Sequence, residues 1–175
     1  SEYTETRVVN IHELGEVEPT LIISREQRVE YSTDIIDVDG RAYLVLTHDF
    51  DAPNSEIVIA PLPEAYVPFE RLRADWVALM PHRDDVRIES VSFSRNHLAV
   101  MARENTTVKV FVAHRSSLSH QLAVGDPRGI EFTQPGGFSE ELYTSSCSGM
   151  NVMSPVIRLN YTSFLTPSSV YDYFP

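Results

Sequence analysis

Short apolar runs of strand length, each cut off by turn residues, recur along almost the whole chain, and they come in groups. Val29-Glu30 and Ile88-Glu89 open two groups about 59 residues apart, and each continues through four strand-like runs. The first group reads as strands over 29–36, 42–47, 55–61 and 75–79, with Trp76 as a large apolar anchor. The second reads as strands over 86–94, 97–101, 108–114 and 120–124. Asp39-Gly40 is a strong two-residue hairpin signal, because glycine tolerates positive φ. Arg95-Asn96 and Glu104-Asn105 place the corresponding turns of the second group. Two strands, 6–10 and 20–24, precede these groups, and strands at 142–147, 156–161 and 169–173 follow them; almost nothing repeats at helical period. Four antiparallel strands repeated at a near-constant interval is the pattern of β-propeller blades. The interval is long and carries no tryptophan–aspartate signature, so by pattern alone a sandwich or barrel stands beside the propeller.

Composition narrows the function more than the fold. The chain has 25 acidic and 14 basic residues, a net charge of −11, and its Lys and Arg are not clustered as a phosphate-binding surface requires. Nucleic-acid binding is therefore not expected. An acidic field instead steers basic peptides, although solubility explains the same charge. No apolar run approaches the roughly 18–20 residues of a membrane helix, and Ser1–Arg7 shows no secretory signal pattern. Cys147 is the only cysteine, which rules out an intrachain disulfide and points to a reducing, cytoplasmic compartment. The Asn105 and Asn160 sequons are read as unused for the same reason.

The last eighteen residues, Arg158 to Pro175, read as strand, turn and strand. Ile157, Leu159 and Tyr161 alternate with polar neighbours, Thr166-Pro167-Ser168-Ser169 is turn chemistry, and Val170, Tyr171 and Tyr173 begin the return strand. The order Arg158, Ser163, Pro167, Val170-Tyr171 and Tyr173 closely resembles the end of the propeller in the oligopeptidase B branch of the prolyl oligopeptidase family of serine peptidases. Val29-Glu-Tyr-Ser with Gly40-Arg-Ala-Tyr-Leu44 resembles that family's blade opening. Trp76 with Leu79-Met-Pro-His-Arg-Asp-Asp85 resembles its Trp-x-x-Leu-x-Pro-His-Arg-x-Asp segment. The terminal motif departs from the family in Arg158-Leu-Asn-Tyr-Thr-Ser163, where an aromatic residue and Ser-Tyr-Ser are usual.

The resemblance implies an all-β, partial β-propeller: about two complete four-stranded antiparallel blades plus parts of two more. Residues 1–27 would end one blade, 28–82 and 83–126 would form two, and 127–175 would start the last. Asp172, Tyr173, Phe174 and Pro175 would be the hinge into an α/β-hydrolase domain, the implied partner. Known propellers close with about four to eight blades, so a segment of this size exposes blade edges that favour self-association. Enzymes of this family cleave short peptides, the oligopeptidase B branch after Arg or Lys, and the propeller excludes folded proteins. The nucleophile sits in a Gly-x-Ser-x-Gly elbow, which these 175 residues do not contain; Ser146-Cys-Ser-Gly-Met150 is the nearest wording. No catalytic residue is assigned, and the expected function is a non-catalytic part of a peptidase. The rival is a stand-alone β-rich binding module.

Three local constellations have simpler structural explanations. Cys147 lies in a strand-like run and reads as a structural cysteine rather than a thiol nucleophile. Asp49, Asp51, Asn54 and Glu56 put four oxygen donors in one loop, but the glycine of a tight calcium turn is missing, so a solvated hairpin loop is expected. His82, Arg83, Asp84 and Asp85 read as a charged inter-blade turn, and Asp126–Gly137 as a polar inter-blade connector. Zinc, iron–sulfur and nucleotide motifs are absent from the sequence, so no cofactor and no metal are expected.

Overall fold

A computed structural model describes residues 3, 5–9, 18–135, 153–161 and 167–174. Its strands form four antiparallel sheets taken in chain order. β1 (Thr6–Val8) pairs with β2 (Thr20–Ile23). β3 (Tyr31–Val38), β4 (Arg41–His48), β5 (Glu56–Pro61) and β6 (Val77–Met80) make a four-stranded sheet. β7 (Val86–Phe93), β8 (His97–Glu104) and β9 (Thr107–His114) make a three-stranded one, and β10 (Ile157–Tyr161) pairs with β11 (Ser169–Tyr173). Two helices, α1 (Phe69–Ala74) and α2 (Ser116–Val124), follow β5 and β9.

Burial decides between the architectures that the strand pattern left open. In a sandwich each sheet buries one face, so strands alternate apolar and polar. Here the middle strands bury both. Leu44 and Leu46 of β4 join a core with Ile22, Ile23 and Val29, while Val45 between them points into a core shared with Leu98, Val100 and Phe111. In β8, Leu98, Val100 and Ala102 face the four-stranded sheet, and Ala99 and Met101 face Ile157 and Leu159 of β10. The four sheets are therefore stacked face on face, as successive propeller blades are. Each apolar layer removes near-continuous Val, Ile and Leu runs from water, at roughly 1.5–3 kcal/mol for each fully buried side chain.

The hairpin turns follow local chemistry. Val38 pairs with Arg41, and Asp39 and Gly40 take φ of 53° and 79°, the mirror-image turn that matches strand twist. Glu104 pairs with Thr107, and Asn105 and Thr106 adopt the same turn at φ of 48° and 74°. A β-branched residue at that second position is strained.

Two features differ from the sequence reading. Residues 120–124 are not a strand but the end of α2. Leu118, Gln121 and Leu122 follow helical spacing, with Leu118 and Gln121 buried, and Gly125 ends the helix at φ 62° with its N–H on the Gln121 carbonyl at 2.8 Å. The strand expected over 75–79 starts instead at Val77, because Phe69 to Ala74 form α1 and bury Phe69 and Leu72. The connector after α2 takes over the outer side of the three-stranded sheet. Thr133 exchanges both backbone bonds with Val112 at 2.8 Å, and the Ile130 N–H reaches the Leu79 carbonyl of β6 at 3.0 Å. Its described part is a strap between neighbouring sheets. The strand expected at 142–147 lies outside the described residues, whereas the terminal hairpin forms in the expected register, Ile157 opposite Tyr173 and Tyr161 opposite Ser169.

Strand direction gives the stack two ends. The upper end carries the Asp39-Gly40 and Ser94–His97 turns and the 62–68 segment. The lower end carries the 49–55 loop, the 81–85 turn and Asn105-Thr106.

Candidate functional site

The lower end is sealed by polar contacts. Asn54 Nδ2 donates to the carbonyls of Arg83 and Asp84 at 3.0 and 2.9 Å, and the Ile88 N–H donates to the Asn54 carbonyl at 3.0 Å. Arg83 lies 2.6 Å from Asp85 and 3.3 Å from Glu104. The hydrogen bond from Arg83 holds the Asp85 carboxyl below the usual range. His82 to Asp85 thus form a charged turn between sheets.

The four oxygen donors of the 49–56 loop do not converge. Asp49 Oδ1 accepts from the Glu30 N–H at 2.9 Å, Asp51 pairs with Arg73 at 3.0 Å, and Asn54 is engaged as described. Glu56 faces His48, whose Nε2 lies 3.3 Å away without hydrogen-bond alignment. His48 is 1% exposed, stacks on Trp76 with ring centroids 4.3 Å apart, and accepts the Phe50 N–H on Nδ1 at 3.2 Å. Burial lowers its pKa to about 4, so it is a neutral core histidine. Among the described residues no three His, Cys, Asp or Glu side chains converge as a metal site would need, and no helix is long and apolar enough to cross a membrane.

The upper end holds a cleft of about 1160 Å³. Val8, Ile35, Ala42 and Val67 contribute apolar walls, and Arg41 and Glu64 line it as charged groups. It joins β1, β3, β4 and the 62–68 segment, which are distant in sequence. Pro63, Pro68 and an exposed Tyr66 between them were the local sign of a surface segment here.

Of the four residues that the resemblance implied as a hinge, Asp172 accepts two hydrogen bonds from Arg158 across the hairpin, at 2.8 and 2.9 Å. That hydrogen bonding lowers the Asp172 carboxyl and raises the Arg158 guanidinium. Tyr173 packs against Ile157 and Leu159, and Phe174 is exposed. Pro175 and Cys147 lie outside the described residues.

Stacked sheets with apolar faces on both sides, joined by turns at two distinct ends, define a portion of a β-propeller. The whole chain, residues 1–175, matches the family model for the prolyl oligopeptidase N-terminal β-propeller domain, and the chain belongs to that family. A dipeptidyl aminopeptidase BI from Pseudoxanthomonas mexicana is 26% identical over 153 residues, 87% of this chain and 18% of that protein. Oligopeptidase B from Trypanosoma brucei, with covalently bound antipain in a closed form, superposes with a TM-score of 0.69 at 20% identity, over 97% of this chain and 22% of that one. Oligopeptidase B from Leishmania major gives 0.68 at 21% identity, over 96% and 22%. The chain thus spans about a fifth of the length of the relatives it matches.

Proposed function

We propose that this chain is the propeller portion of an oligopeptidase B-like serine peptidase that cleaves short peptides after Arg or Lys. On this reading the chain performs no chemistry. It narrows access to an α/β-hydrolase domain reached through Asp172 to Pro175, and its acidic surface draws basic peptides toward that domain. A cytoplasmic location fits the single cysteine, and exposed sheet edges make the separated chain prone to self-association. The observation that carries the reading is the match of the entire chain to a peptidase propeller family, joined to the absence of a Gly-x-Ser-x-Gly elbow in its sequence.

The dipeptidyl aminopeptidase relative supports a second reading, removal of dipeptides from a free amino terminus. Two fluorogenic substrates separate them in assays of the native gene product: an N-blocked peptide ending in Arg, and a dipeptide with a free amine. Turnover of the blocked substrate supports endopeptidase action, and turnover of the free dipeptide alone supports the second reading. The 175-residue chain should hydrolyse neither, and clear turnover by the pure chain would sink the proposal.

A further inference from the structure

We infer that His97 and His114 together hold a divalent transition-metal ion of the copper and zinc kind, one imidazole from each of two neighbouring strands, with water completing the coordination. Register supplies the first argument. His97 opens β8 and His114 closes β9, and the two are direct partners. The Arg115 N–H donates to the Asn96 carbonyl at 2.7 Å. That bond flanks the pair and makes it a non-hydrogen-bonded one, the kind that brings opposite side chains closest. The ring centroids are 4.7 Å apart and the planes cross at 84°. Two imidazoles on one ion, with metal–nitrogen bonds of about 2.0–2.1 Å and roughly a right angle between them, place their centroids about 4.5 Å apart. The backbone therefore already sets the spacing of a chelate. Only the rings have to turn about their Cβ–Cγ bonds, which are soft torsions in histidine.

The ring nitrogens supply the second argument. His97 Nδ1 is buried with no hydrogen-bond partner among the described residues, and a buried orphan of this kind calls for a partner such as an ion. Burial first, and the neighbouring His114 second, hold the His97 pKa below its ordinary 6.5, so at pH 7 the ring is neutral and has a lone pair to give. His114 Nδ1 lies 2.6 Å from Ser116 Oγ and accepts the Ser116 N–H at 3.1 Å. Those contacts engage Nδ1 and leave Nε2 as the nitrogen for a metal. With Nε2 on the ion, Nδ1 carries the proton and donates it to Ser116 Oγ, the outer hydrogen bond that metal-bound histidines usually make; the exposed Ser116 N–H then turns to water. Imidazole nitrogen suits Cu²⁺, Ni²⁺ and Zn²⁺, whereas Ca²⁺ and Mg²⁺ take oxygen. Two protein ligands hold an ion less tightly than the three-residue clusters that the described residues lack. Their position gives the ion a structural effect: it clips the start of β8 to the end of β9, just before α2, and stabilises the folded chain by binding it in preference to the unfolded one.

Copper binding by the native gene product tests the site, with Cu²⁺ alone as the probe. Equilibrium dialysis at micromolar free Cu²⁺ counts the ions held by the wild type, His97→Ala and His114→Ala. Each variant is expected to lose one bound ion, and electron paramagnetic resonance should show that the lost ion was coupled to two nitrogens. Ser116→Ala should keep the two-nitrogen signal while weakening that site about 10–100-fold, the usual cost of removing an outer partner. His114 is exposed, so its replacement leaves the core intact, and circular dichroism confirms that each variant is folded. The same ion count in the wild type and both variants overturns the inference. So does a loss confined to one variant, which would mean a single-histidine contact, and so does a lost signal coupled to one nitrogen.

Discussion

The second and third sheets begin alike and finish differently. Both open with an eight-residue strand, a tight turn and a second eight-residue strand. The second sheet then adds β5 and β6 and so has a regular strand at its outer side. The third adds β9 and hands that side to α2 and the strap through Gly129, Ile130 and Thr133. Its side-chain fastening is Gln121, 2% exposed, whose Nε2 donates to the carbonyls of Ala78 and Asp126 at 2.7 and 2.6 Å. The middle strands β4 and β8 hold the stack together through two apolar faces, so they tolerate little change. The outer position has to satisfy the neighbouring backbone and cover one edge, which a strand or a helix with a strap can both do.

Breaking the strap should have the largest effect. Gly129 sits at φ 78°, and a methyl there would run into the Leu79 carbonyl. Gly129→Ala is expected to cost about 2–4 kcal/mol from left-handed strain and overpacking, read as a lower urea midpoint. An unchanged midpoint would mean that the strap does not fasten the two sheets. Gln121→Ala leaves two carbonyls without their donor in a buried site and should cost about 1–3 kcal/mol, with slower-protected amides in β6 becoming exchangeable. Protection retained in β6 would contradict the role given to α2.

Acid sharpens the comparison from the other side. The second sheet ends β4 on buried His48, where the third ends β8 on Glu104. The folded state keeps His48 neutral down to about pH 4, against an ordinary value of 6.5, because of burial. Between those values the unfolded chain binds the proton and the folded one does not, so stability is full above pH 6.5 and falls as pH drops toward 4. Urea midpoints at pH 7 and pH 5 should therefore differ more for the native chain than for His48→Phe; equal differences would remove the histidine from the account.

The two mirror-image turns allow a smaller test. Thr106→Gly should gain about 1 kcal/mol by relieving a β-branched residue at positive φ, and Gly40→Ala should lose about as much at the matching turn. Thermal melts check both signs. The exposed Arg158–Asp172 pair is expected to contribute least: Arg158→Ala should leave the melting temperature within error, since screened surface pairs add little.

Much of the fold was legible locally. Asp39-Gly40 sits at the turn its chemistry demanded, and the Ile157 and Leu159 alternation correctly marked a strand with one buried face. The Arg158, Pro167, Val170-Tyr171 and Tyr173 wording fell in a paired hairpin of a propeller family. His48 with Trp76, and the upper cleft, were not legible, because each joins segments that only packing brings together. The oxygen-rich 49–56 loop looked like one constellation in sequence and is four separate contacts in space.

The sequence by itself determined most of the strands, their tight turns, and that the strand groups recur. Those properties depend on pleat period and on φ preferences, which neighbouring residues settle among themselves. Tertiary structure alone decided that residues 116–124 coil into a helix. A stretch that short has too few apolar positions to choose its own period, and its choice comes from fitting Leu118 into the core and Gln121 onto β6. The asymmetry of the two ends has the same origin, because it depends on strand direction and on which side chains the stacked sheets leave in water.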